Sequence, residues 1–197
     1  KANDDYLYCL RKVYSRASYI TLNLSSPNTP GLRTLQFGES LNSLLEVLKN
    51  EQAKQAILHD KYVPIAVKIA PDMSADEIRL VADTLHAQGV DGIIATNTTL
   101  SRESVKGHKR ADEAGGLSGA PVRDASTEVV RVLHDHLLDS LPIIGVGGIM
   151  NGKDAVEKLE AGAKLVQIYS GFVYRGPDLI REAIENTSGY IRENSNK

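Results

Sequence analysis

Residues 142–171 read PIIGVGGIMNGKDAVEKLEAGAKLVQIYSG, and this stretch holds one whole strand–helix–strand unit. Pro142 to Gly145 is a short, nearly continuous apolar run, the form a strand takes when a parallel sheet is covered on both faces. Gly147 and Gly148 break the run, and Asn151 opens a helix striped by Ala155, Val156 and Leu159. Leu165 to Tyr169 is the next apolar run. Working outward, the same unit returns, with strand candidates at Tyr19 to Leu24, Pro64 to Ile69 and Gly92 to Thr96. Leu41, Leu44, Leu45 and Leu48 recur at helical spacing, as do Ile78, Val81, Ala82 and Leu85. Ser74, with Glu77 three residues on, predicts a capping box for the second of these helices. Val129, Val132 and Leu133 stripe a helix expected after Asp124 or Ser126. Gly176-Pro177 predicts the start of the last helix, because its first position needs no amide hydrogen.

Repeated strand–helix units form either a doubly wound open sheet or a closed barrel. The unusual residues fall at or after the strand C-terminal ends: 25–28, 68–72, 96–99, Gly147-Gly148 and 169–171. Loops on that one face build the site in barrels, whereas an open sheet concentrates its site at one switch point. The expected fold is therefore an α/β (β/α)8 TIM barrel. A barrel needs eight units and five are legible here, so either the sheet is open or three units lie upstream. The polar start Lys1 to Asp5, with no initiator methionine, fits processing, truncation or a disordered leader alike; with the missing units it favours the C-terminal part of a longer protein. Residues 1–187 are read as barrel and 188–197 as a polar tail.

With 42% hydrophobic and 24% charged residues the chain suits a packed globular protein. A net charge of -2 without a long basic run argues against a nucleic-acid partner. The single cysteine, Cys9, excludes an internal disulfide framework and a thiolate metal cluster, and is expected to be structural. No apolar stretch is long enough to span a bilayer. The five histidines lack metal-ligand spacing; His134 and His136 face different sides of a helix and are expected to be solvated.

Chemistry is expected at the strand ends. The glycines of 145–148 and the run Tyr169-Ser170-Gly171 either bring a phosphate close to backbone amides or simply make tight turns. Lys68 alternates against Val67 and Ile69; it meets an anion such as a phosphate or reduced flavin, snorkels, or pairs with Asp72. The amide-rich clusters 23–29 and 96–99 suit a flat ring with donors and acceptors, and also suit ordinary turns. Gly115 to Gly119 sits in a long connection of the kind that is often functional.

Taken together, NLSSPNTPGLRTLQ (23–36), VPIAVKIAPD (63–72), IATNTTL (94–100), GGLSG (115–119), PIIGVGGI (142–149) and LVQIYSGF (165–172) closely resemble the dihydroorotate dehydrogenases that use serine as base. The resemblance runs from Asp4 to about Ile184, looks closest to bacterial members, and is carried most specifically by NLSSPNTPGLR. It implies a (β/α)8 barrel holding FMN, which oxidises dihydroorotate to orotate. Ser26 would be the base at C5 while hydride leaves C6 for the flavin; cysteine stands there in the soluble sister class, so serine points to the quinone class. A serine base needs a relay and a dry, closed loop, and Thr29 resembles the relay threonine.

By the same resemblance Lys68 lies beside the flavin pyrimidine ring, Asn23 is shared between flavin and substrate, and Thr96 touches flavin. Asn28, Asn97 and Thr98 match orotate-binding positions, and Gly119, Gly148, Tyr169 and Ser170 match those around the FMN phosphate. The family's N-terminal helices, which form the quinone tunnel on the membrane, and its first strands have no counterpart here. The resemblance therefore implies a protein peripheral on the cytoplasmic face of the bacterial inner membrane. The isolated piece is expected to be inactive and to work only with the upstream segment, even as the second fragment of a protein cleaved before Lys1. Two alternatives remain: another FMN-dependent pyrimidine oxidoreductase, and a phosphate-binding barrel without redox chemistry.

Overall fold

The computed structural model describes residues 2–194. Five parallel strands, β1 (Ile20–Asn23), β2 (Ile65–Ile69), β3 (Gly92–Ala95), β4 (Ile143–Val146) and β5 (Leu165–Gln167), pair in the order of the chain. They alternate with helices α1 (Ala2–Val13), α2 (Gly38–His59), α3 (Ala75–Ala87), α4 (Arg123–Leu137), α5 (Gly152–Glu160), α6 (Ser170–Arg175) and α7 (Pro177–Asn194). A doubly wound sheet reverses its strand order at a switch point. This order never reverses, and it is that of consecutive barrel units.

Register sorts the side chains. Asn23 pairs with Lys68, Lys68 with Ile94, Ile94 with Ile144 and Ile144 with Leu165, so these residues share one face. The opposite face carries Leu22, Ile65, Val67, Ile69, Ile93 and Ile143. It packs against Leu41, Leu44, Leu45 and Leu48 of α2, Ile78, Val81 and Leu85 of α3, and Val129, Val130 and Leu133 of α4. That layer is the main core. On the concave face, Ala66, Ile94, Ile144 and Val146 form a small apolar group, but Leu165 is 62% exposed. This face is open towards the β5 edge. A third cluster joins Ile149, Ala155 and Ala183 and ties α5 to α7.

The predicted helix punctuation is found at α3, where Ser74 and Glu77 complete the capping box, and at α7, which begins at Pro177. The start of α4 differs. It follows a 3-10 turn, Ala120–Val122, and begins at Arg123, so Ser126 lies inside it and donates to the Val146 carbonyl (2.5 Å). Helix α5 buries Ala155 and packs Leu159 against the main core as its stripe predicts, with Val156 half-buried, but its buried face also holds Asp154 and Lys158. The stretch expected as a tail from residue 188 is helical as far as Asn194; residues 195–197 lie outside the described part. Cys9 is exposed on α1. His136 is not merely solvated: its Nε2 lies 2.7 Å from Asp83, joining α4 to α3.

Candidate active site

The loop after β1 begins with two buried residues, Leu24 and Ser25. The Ser25 hydroxyl donates to the Lys68 carbonyl (2.8 Å) and accepts from Asn97 Nδ2 (3.1 Å). Asn97 Nδ2 also donates to Asn23 Oδ1 (3.1 Å). Three strand ends are thereby stitched together, and the amide faces of Asn23 and Asn97 meet. Ser26 follows, half-buried, with its hydroxyl accepting the Asn28 amide (3.3 Å). Asn28 and Thr29 are exposed. Among the described residues the Thr29 hydroxyl makes no hydrogen bond, while the Thr29 carbonyl accepts from Leu32 N (3.2 Å).

Beside this loop opens a cleft of about 540 Å³. It is lined by Lys68 at the end of β2, by Thr96, Asn97 and Thr98 after β3, and by Gly119, Gly148, Tyr169 and Ser170. Eight of the twelve predicted residues therefore share one cavity. Asn23 adjoins it through Asn97, whereas Ser26, Asn28 and Thr29 lie on the adjoining loop and do not line it.

Lys68 is half-buried, and desolvation holds its pKa below the ordinary lysine value. Pairing with Asp72 was one expectation for this ammonium, and the structure excludes it. Asp72 is taken by the Arg33 guanidinium (2.7 Å), the Leu100 amide (3.0 Å) and the Thr99 hydroxyl. Among the described residues no carboxylate pairs with Lys68. An anion entering the cleft would meet an ammonium without a competing counter-ion.

At the other end, Gly119 and Gly148 have φ of 79° and 74°. A Cβ on Gly148 would lie 2.4 Å from Arg123 Cα, so only glycine fits there. Among the described residues the amides of Gly119, Gly148 and Ser170 have no protein acceptor, which suits the oxygens of a phosphate. The Ser118 and Ser170 hydroxyls bridge the two sides (3.0 Å). The start of α5, by contrast, is closed to an anion. Asn151 Oδ1 accepts from the Asp154 amide, Asp154 Oδ2 from Met150 and Asn151, and Glu182 Oε1 from Gly152. The first amides of that helix are thus already taken by the chain's own carboxylates.

A family model described as dihydroorotate dehydrogenase matches residues 1–188. The chain belongs to the dihydroorotate dehydrogenase family. It is 67% identical over 189 residues to the dihydroorotate dehydrogenase (quinone) of a Marinomonas species, covering 96% of this chain and 55% of that protein. The enzyme of the same name from Saccharophagus degradans is 64% identical, with 93% and 54% covered. Among solved structures, the DHODH of Eimeria tenella in complex with ferulenol superposes with a TM-score of 0.89 at 35% identity, over 98% of this chain and 55% of that one. The ligand-free type of the same protein gives 0.89 at 34% identity. The chain spans about half the length of the curated relatives it matches, and its sheet is the matching portion of a dihydroorotate dehydrogenase TIM barrel.

Reading residues one at a time misses those that hold these loops. Ser25 was seen only as part of a polar cluster, and Arg33 only as a letter in a motif. Gly116 was likewise read as loop. A Cβ there would lie 1.8 Å from Thr98 Oγ1 and 2.8 Å from Pro27 Cγ, so the long connection presses against the Ser26 loop. Arg102 clamps that connection by donating to the carbonyls of Glu113 (3.1 Å) and Gly115 (2.5 Å). Glycine inside a polar loop was the available signal; the partner it touches was not.

Proposed function

We propose that the full-length protein oxidises dihydroorotate to orotate for pyrimidine synthesis, using FMN and passing the electrons to a membrane quinone. The observation that carries this reading is the convergence at one cleft of a half-buried ammonium without a carboxylate partner, the Asn97 amide bonded to the adjoining Asn23, and acceptor-free glycine and serine amides. Those are the donor types that a flavin phosphate, an anionic ring and a pyrimidine each require. Bound FMN would supply the hydride acceptor.

The residues divide the remaining work. Gly119, Gly148, Tyr169 and Ser170 hold the phosphate end, with Thr96 and Asn23 on the ring and Lys68 balancing negative charge. Asn23, Asn28, Asn97 and Thr98 orient the substrate through hydrogen bonds to its amide edges. The Ser26 oxygen takes the C5 proton as hydride departs from C6, while its own hydroxyl proton passes to the Thr29 hydroxyl and on to solvent. Quinone access and membrane attachment at the cytoplasmic face of the bacterial inner membrane belong to the upstream segment. Among the described residues no helix is long and apolar enough to cross a membrane. On this reading the isolated piece is inactive without its N-terminal complement.

The test is anaerobic reduction of the full-length protein's flavin by dihydroorotate, followed by absorbance, with and without Ser26→Ala. The variant should keep its flavin and lose about 10²- to 10⁴-fold in reduction rate, the range of a lost general base. Unchanged turnover removes Ser26 from the chemistry. A wild-type protein that dihydroorotate cannot bleach removes the whole reading.

A further inference from the structure

Three loops that follow separate strands carry the groups assigned above, and one side chain touches all three. Arg33 Nε donates to the Ser25 carbonyl (3.1 Å), Nη1 to Asp72 Oδ2 (2.7 Å) and Nη2 to the Thr98 carbonyl (2.9 Å). Ser25 directly precedes Ser26, Asp72 lies just beyond Lys68, and Thr98 is one of the substrate amide-and-hydroxyl set. The second Asp72 oxygen accepts from the Thr99 hydroxyl, so the carboxylate is itself fixed from the β3 side. The Arg33 and Asp72 side chains are only 20% and 26% exposed.

We propose that Arg33 is a positioning residue for the reaction, fixing the Ser26 loop against the ends of β2 and β3 through Ser25, Asp72 and Thr98; this rests on the function proposed above. The guanidinium is suited to it because it is planar and presents its donors in a rigid fork. Lysine offers one ammonium and cannot hold two carbonyls and a carboxylate in three fixed directions. The far side of the loop is pinned independently. Gln36, buried, accepts the Ala70 amide through Oε1 (2.9 Å) and donates to the Arg33 carbonyl (3.3 Å). Between these anchors residues 26–32 run across the surface, with Gly31 in a left-handed turn (φ 73°). The hydroxyl that takes the proton therefore sits one residue from a fixed point, and a serine base tolerates little misplacement. An error of about 1 Å in a reacting group costs about 10²-fold in rate.

The experiment compares full-length wild type, Arg33→Lys and Arg33→Ala in single-turnover flavin reduction by dihydroorotate, alongside flavin content, melting temperature and KM. The expected result is a loss of about 10²-fold in the limiting reduction rate for both variants. KM should move far less, and Arg33→Lys should keep its flavin and fold. Partial rescue of Arg33→Ala by added guanidinium, but not by methylammonium, would follow from the fork geometry. Wild-type rates in Arg33→Lys would overturn the proposal, because charge alone would then suffice. So would a rate loss that vanishes once bound flavin is matched, which is the signature of a merely structural role. If Arg33→Ala does not fold, Arg33→Lys decides. A wild type that dihydroorotate fails to reduce would sink the function first; an active wild type with an unimpaired lysine variant sinks this inference alone.

Discussion

Lys158 is fully buried in the face of α5 that packs under β4, and its ammonium donates to the Arg123 carbonyl (3.0 Å) and the Thr127 hydroxyl (2.5 Å). Desolvation pulls its pKa down from 10.5 to about 8, against the opposing pull of Glu157 and Asp154. The unfolded chain keeps this proton up to pH 10.5, whereas the folded protein releases it near pH 8. Between those values the unfolded state binds more protons, so this group makes stability rise with pH through that window. At about 1.4 kcal/mol per pKa unit the whole window is worth about 3 kcal/mol, most of it between pH 7 and pH 10. Lys158→Met keeps an unbranched chain of similar length. It also leaves the Arg123 carbonyl its bond from the Thr127 hydroxyl (2.9 Å). Urea unfolding of the full-length wild type and variant, followed by circular dichroism across this pH range, isolates the effect, because every other titration is common to both. The wild type should gain about 2–3 kcal/mol on the variant from pH 7 to pH 10. A stability difference that stays flat with pH would refute the reasoning.

Two glycine substitutions probe the cleft itself. Gly148→Ala combines a left-handed backbone, costing about 1–2 kcal/mol for a residue with a Cβ, with a carbon 2.4 Å from Arg123 Cα. The full-length variant should fold but retain much less bound flavin, measured as flavin per chain after dialysis. Gly116→Ala forces a methyl to 1.8 Å from Thr98 Oγ1 and should weaken orotate binding at least about tenfold, or about 1.4 kcal/mol, in a titration of the flavin spectrum. Flavin content should stay at the wild-type level in that variant.

The strand–helix alternation was legible because its signals are local. Apolar runs, a Ser74–Glu77 box and a Gly176-Pro177 start each sit within a few residues of one another, and the structure has all of them. Where local signals misled, a tertiary partner had intervened. Ser126 reads as a helix cap, yet its hydroxyl serves the Val146 carbonyl of a strand twenty residues away, and the helix starts before it. In α5 a charged pair, Asp154 and Lys158, is buried beside Ala155, where apolar periodicity showed only Ala155, Val156 and Leu159. Both charges are stabilised by groups on α4: Arg123 reaches Asp154 (3.3 Å), and Thr127 reaches Lys158.

The site shows the same division more sharply. Residue types that bind amides, anions and phosphates could be picked out one at a time, because asparagine, lysine and glycine at strand ends carry their chemistry with them. What brings them to one place does not travel in that way. The bonds of Arg33 span 8, 39 and 65 positions along the chain, and those of Asn97 to Ser25 and Asn23 span 72 and 74. Such contacts exist only because successive parallel strands set Asn23 against Lys68 and Lys68 against Ile94. A change that leaves every cleft-lining residue in place but removes one of these long-range ties should therefore slow the chemistry more than it weakens binding. Lys68 is held by its place on β2, whereas the Ser26 loop and the 96–99 loop lie beyond the strand ends and depend on these ties.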